Sequence, residues 1–107
     1  MTKEEVQLIS FNVIAYSGEA FNSFVDSVAM ASVFNFKKAE ELLKLGEKSL
    51  TKAHQTQTEL LQAEIRGEEI PFSIILIHGQ DHLMHATTYE QVAKDNIELY
   101  RILKGLK

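Results

Sequence analysis

Apolar residues recur every three or four positions along most of this chain, and no segment keeps a period of two for long. The pattern is that of helices. In the first segment Val6, Ile9, Val13, Tyr16, Ala20 and Phe24 form one face. Phe11, Ile14, Gly18, Phe21 and Val25 form a second face on the same helix, more than a lone bundle requires. Thr2-Lys3-Glu4-Glu5 ahead of them reads as a capping box, with Thr2 as N-cap and Glu5 reaching back. The second segment turns Ala39, Leu42, Leu43, Gly46, Leu50, Ala53, Leu60 and Leu61 inward. Glu40, Glu41, Lys44, Glu47, Lys48 and Lys52 form its solvated face. Asn35 is a favoured N-cap for it, with Phe34 placed to staple the first turn.

With one proline and five glycines, the natural breaks are "VFNF" near Asn35 and "RGEEIP" from Arg66 to Pro71. The spacing therefore predicts helices over about 3–33, 36–65 and 71–103, with Pro71 in the first turn of the last. Short connections favour antiparallel neighbours. The expected fold is all-α, an antiparallel three-helix bundle in a single domain spanning 1–107.

The third helix carries two stripes. Leu76, Gly79, Leu83, Ala86, Ala93, Ile97 and Tyr100 suit the monomer core. Ile74, Ile77, Asp81, Met84, Thr88, Val92, Asp95, Leu99 and Ile102 point well away from it. That second stripe is too apolar to be left in water and predicts self-association along this helix. Under cyclic symmetry identical stripes meet around one axis. The Asp81 carboxylates would then converge, which calls for protonation or for a shared hard cation such as Mg²⁺.

His78, His82 and His85 recur at i, i+4, i+7 and share a face flanking the association stripe, with Asp81 at its edge. Three readings stand at this level. The histidines are ordinary interface residues, a transition-metal site without an outside ligand, or a phosphoryl-accepting nucleophile with a helper. Gln80 points elsewhere and is expected to hydrogen-bond a neighbouring helix. His54, among Gln57, Thr58 and Leu61, reads as an ordinary polar position. Gly18 inside a helix suggests a close helix approach or a kink.

Composition narrows the classes. A formal net charge of −4 with no basic stripe argues against nucleic acid. The absence of cysteine excludes disulfides, thiolate zinc sites and cysteine nucleophiles. "MTKEEVQLIS" turns charged at once, unlike a signal peptide, and no run nears the roughly 20 apolar residues of a membrane span. No Gly-rich phosphate loop or Ser/His/Asp order is present, so a nucleotide cofactor is not expected.

"HGQDHLM", from His78 to Met84, resembles the phosphorylation-site signature of the enzyme IIA components of the lactose/cellobiose class of the bacterial sugar phosphotransferase system. The likeness runs nearly the whole length: "IAYSGEA", "FNFKKAEELL", "AHQTQTELLQAEIRGEE" and "ELYR" each resemble a family stretch. The resemblance implies a cytoplasmic homotrimer of nine helices. His78 would carry the phosphoryl group on Nε2, His82 would assist, and Asp81 from each of three subunits would bind a metal at the axis. The donor would be the histidine-containing phosphocarrier protein. The acceptor would be a cysteine of the enzyme IIB component, in the uptake of a disaccharide such as lactose or cellobiose. Contact with the membrane would be indirect, through the permease complex, and the sugar would be chosen largely there. The chain departs from the family at His85, where a small residue is common, in "SGEAFNSF", and in "VFNF", which lacks the turn glycine. The alternative is a helical metal-binding or regulatory module without onward phosphotransfer.

Overall fold

A computed structural model describes residues 1–106 and contains three helices: α1 (Lys3–Ser32), α2 (Phe36–Ile65) and α3 (Ile74–Leu106). They form an all-α up-down-up bundle about 58 Å long and 19 × 18 Å across. α2 runs against the other two, as the links from Glu40 to Arg101 and from Gln57 to Gln80 require. α1 and α3 run parallel, with Ser10 beside Gly79 and Phe21 beside Tyr89.

The two predicted N-caps are in place. Thr2 Oγ1 accepts the Glu5 N–H at 3.1 Å, and Asn35 Oδ1 accepts the Lys38 N–H at 3.2 Å. Phe34 packs its ring against Phe36, 6.1 Å between centroids. α1 and α2 end in the same way. The Asn35 N–H bonds the Met30 carbonyl and the Phe34 N–H that of Ala31; Glu68 and Gly67 repeat the pattern on Ala63 and Glu64. Both turns place one residue at positive φ. At the second it is Gly67 (φ 90); at the first it is Phe34 (φ 64), where a glycine would sit without strain.

The third helix differs from the expected span of 71–103. It starts three residues later, at Ile74, and continues to Leu106. Ser73, a residue type that favours helix starts, stands just before it, and its carbonyl accepts the Leu76 N–H at 3.1 Å. Pro71 stays in the connection. α1 ends one residue early, at Ser32. In that same connection the Arg66 guanidinium hydrogen-bonds Glu68 at 2.7 Å and holds its carboxyl below the ordinary value of 4.5. A lowered folded-state value favours folding above the ordinary range, and this contribution fades as pH falls through the lowered value.

A strict seven-residue repeat builds the core. On α1 the buried positions are Val6, Ser10, Val13, Ser17, Ala20, Phe24, Ser27 and Ala31, spaced alternately by four and three. Ala39, Leu43, Gly46, Leu50 and Ala53 keep the same spacing on α2, and Gly79, Leu83 and Ala86 on α3. The serines lie outside both apolar faces read from the sequence; Ile9 and Tyr16, on the first of those faces, are only half-buried. Ser10 and Ser27 donate to the carbonyls of Val6 and Phe24, both at 2.7 Å, so these hydroxyls enter the core already satisfied. Ser17 Oγ is buried with no partner among the described residues.

Small seam residues let the helices come close. A Cβ on Gly46 would sit 2.6 Å from Phe24 Cε1, and one on Gly79 would sit 3.3 Å from the Ser10 carbonyl oxygen. The Phe24 ring is fully buried and has nowhere to swing.

Two stability measurements check this packing. Gly46→Ala gains helix propensity worth about 1 kcal/mol but overpacks Phe24 at a cost of about 1–3 kcal/mol. A lower urea midpoint is expected, and an unchanged one would contradict the packing. Ser17→Ala removes the unpartnered hydroxyl and should raise stability by about 1 kcal/mol.

Candidate functional site

Helix periodicity alone brings the histidines together. His78 and His82 stand one turn apart on α3, with Nε2 atoms 3.1 Å apart and ring centroids 4.5 Å apart at 81°. Two ring nitrogens at that distance must share one proton, one donating and the other offering its lone pair. His78 is exposed and His82 half-buried. If His82 Nε2–H donates, it occupies the one lone pair of His78 Nε2, and that nitrogen becomes a nucleophile when the exposed His78 ring releases the contact to an incoming group. Gly79, between them in sequence, is buried and seats α3 on the backbone of α1.

His85 is exposed and does not join this contact. With His82 it lines a cavity of about 340 Å³ between α3 and α1, closed on the α1 side by Gly18, Phe21 and Asn22. Asp81 is exposed on the outward stripe between Ile77 (49 % exposed) and Met84 (55 % exposed), and no ion pair reaches it among the described residues. Among the described residues no group of three or more His, Asp or Glu side chains converges within one chain to hold a metal. The zinc reading of the histidine face therefore lacks a ligand set in the monomer. A metal at Asp81 fits only if further copies of the chain bring their own carboxylates to it.

Gln80 takes its expected role: Gln57 Nε2 on α2 donates to Gln80 Oε1 on α3. His54 is more than the ordinary polar position expected of it. The Thr87 hydroxyl gives its single proton to the Leu83 carbonyl at 2.7 Å, so Thr87 Oγ1 can only accept from His54 Nε2, 3.3 Å away. That leaves His54 Nδ1 free. Sequence could not have found this link, because Thr87 lies 33 residues from His54. Gly18 departs from both expectations: α1 runs through it unbroken, and an added Cβ would meet nothing within 4 Å.

An exposed, paired histidine on a rigid helical bundle suits a carrier of a transferable group better than an enzyme with an enclosed substrate pocket. Comparison with known proteins agrees. The family model for the PTS system, Lactose/Cellobiose specific IIA subunit, matches residues 8–101. The chain belongs to that family. It is 41% identical over 101 residues to the PTS system lactose-specific EIIA component of Staphylococcus epidermidis, covering 94% of this chain and 97% of that protein. The corresponding component of Lactococcus lactis subsp. lactis is 37% identical over 101 residues, 94% of this chain and 96% of its own. The crystal structure of the PTS cellobiose-specific enzyme IIA from Bacillus anthracis matches with a TM-score of 0.92 at 36% identity, covering 98% of this chain and 94% of that one. PtcA from S. mutans gives a TM-score of 0.91 at 40% identity, covering 94% and 99%. Family membership makes the chain a phosphocarrier component of the sugar phosphotransferase system, whose work is phosphoryl transfer. Among the described residues no helix is long and apolar enough to cross a membrane.

The Thr87 link has a spectroscopic consequence. In ¹⁵N-labelled protein, neutral His54 should populate the Nε2–H tautomer, and Thr87→Val should release it towards a mixture. A dominant Nδ1–H form in the unaltered chain would contradict the assignment.

Proposed function

We propose that His78 receives a phosphoryl group on Nε2 from the histidine-containing phosphocarrier protein and passes it to a cysteine of the enzyme IIB component. The observation that carries the reading is the 3.1 Å contact between His78 Nε2 and His82 Nε2, with His78 open to solvent. Two partners must use the same atom in turn, so the acceptor nitrogen has to be accessible while its ring is held in place. Phosphoryl transfer needs little beyond such in-line positioning and charge stabilisation.

The steps balance simply. The His78 Nε2 lone pair forms a P–N bond as the donor's P–N bond breaks, and that electron pair returns to the donor imidazole. The IIB thiolate then forms a P–S bond while the bond to His78 breaks and restores the Nε2 lone pair. As the His78 lone pair engages phosphorus, the His82 N–H that rested on it turns to the phosphoryl oxygens and offsets their charge. No nucleotide takes part. The carrier acts in the cytoplasm and reaches the membrane through its permease, and the sugar is a disaccharide such as lactose or cellobiose.

The working unit is a homotrimer. Its support is the outward stripe of α3, where Ile74 is 72 % exposed and Leu99 61 % exposed, a continuous apolar strip in a single chain. On the axis Asp81 from each subunit would hold Mg²⁺ or another hard divalent cation, which when bound would offset most of the charge of three converging carboxylates. Asp81 and His78 point in different directions from α3, so the metal is structural.

Phosphoenolpyruvate, enzyme I and the phosphocarrier protein should label the chain with acid-labile phosphate. His78→Ala should lose the label with its helical content intact, and an unchanged yield would sink the proposal. His82→Ala should keep the label but acquire it about 100-fold more slowly. Asp81→Leu should change metal content or sedimentation, and a wild-type chain that stays monomeric at micromolar concentration would refute the trimer.

A further inference from the structure

The outward stripe of α3 separates two flanks of the bundle that look unlike each other. On the α1 flank Phe11, Gly18 and Val25 recur every seven residues and so stand in one line. Phe11 is 58 % exposed and Leu8, one turn earlier, 64 %. Gly18 makes a notch in this line. Glycine inside a helix costs stability, and at Gly46 and Gly79 a close neighbour accounts for it. At Gly18 none of the described residues does. The notch opens instead into the cavity shared with His82 and His85.

The α2 flank has complementary features. A cleft of about 240 Å³ lies between α2 and α3, lined chiefly by Leu60, Leu61, Ile70, Leu76 and Ile77. Further along the same flank His54 stands exposed, steadied by Thr87. The levels along the bundle match. Ser10 packs on Gly79, which puts Phe11 level with the cleft. His54 reaches Thr87, two residues from His85 and so about 3 Å further along α3.

Cyclic symmetry about an axis parallel to α3 preserves levels and presents the α1 flank of one copy to the α2 flank of the next. We propose that Phe11 of each subunit fills the Leu61–Ile77 cleft of its neighbour, so that His54 of the partner subunit enters the notch at Gly18 beside His82 and His85. The occupant of both features is thus a second copy of this chain. The histidine site is complete only in the oligomer: His78, His82 and His85 come from one chain and a further imidazole, His54, from the next. The inference rests on the trimeric reading above and specifies its register.

The chain contains no cysteine, which makes the register directly testable. Gly18→Cys and His54→Cys in one chain, treated with a short bis-maleimide, should give covalent trimers on denaturing gels. Either substitution alone should give none. Phe11→Asp should weaken the trimer at least about tenfold in sedimentation while leaving helical content unchanged. A wild-type trimer that yields no covalent trimer from the double variant, or that tolerates Phe11→Asp, overturns this register and leaves the trimer itself standing. A monomeric wild type overturns both.

Discussion

Close packing along a seven-residue seam of small residues is the constraint on which the rest of the structure depends. Gly46 lies against the Phe24 ring, where a Cβ would clash, and Gly79 against the Ser10 backbone, where a Cβ would be tight. Bringing α3 this near α1 fixes its rotation. Once Gly79, Leu83 and Ala86 face inward, the remaining positions have no freedom. Ile77, Asp81 and Met84 must point away from the core, Gln80 must meet Gln57 on α2, and His78 and His82 must fall on the α1 side. The site owes its rigidity to a helix held by its own core face, not to a loop.

That economy explains how titratable groups and core residues share one short segment. Each helical turn of α3 sends one residue inward, one or two to the flanks and one outward. Chemistry and packing alternate without competing for space. The pairing of His78 with His82 costs the fold nothing, since it uses the i, i+4 spacing that every helix supplies. It also leaves His78 exposed, as the proposed carrier role requires.

Much of this was legible in the amino-acid sequence. The three helices, both N-caps, the Gln80 link and the exposed stripe of α3 follow from spacing, and "HGQDHLM" carries the family. What escaped has physical reasons. Ser10, Ser17 and Ser27 read as polar, yet two of them satisfy their hydroxyls on their own helix and so pass as small core residues. Pro71 is compatible with a first turn, but Ser73 competes for the boundary and takes it. His54 looked unremarkable because its partner is distant in sequence. The open space beside Gly18, with no neighbour within 4 Å among the described residues, is visible only in the coordinates.

The central claim is that the Nε2 lone pair of His78 is the acceptor. ¹⁵N and ³¹P NMR of the enzymatically phosphorylated chain tests it most directly, since it reports both the residue and the ring nitrogen that carry phosphorus. One phosphoryl group per chain, on Nε2 of His78, is the predicted result. Phosphorus on Nδ1 of His78, on His82 or on His85 would contradict it.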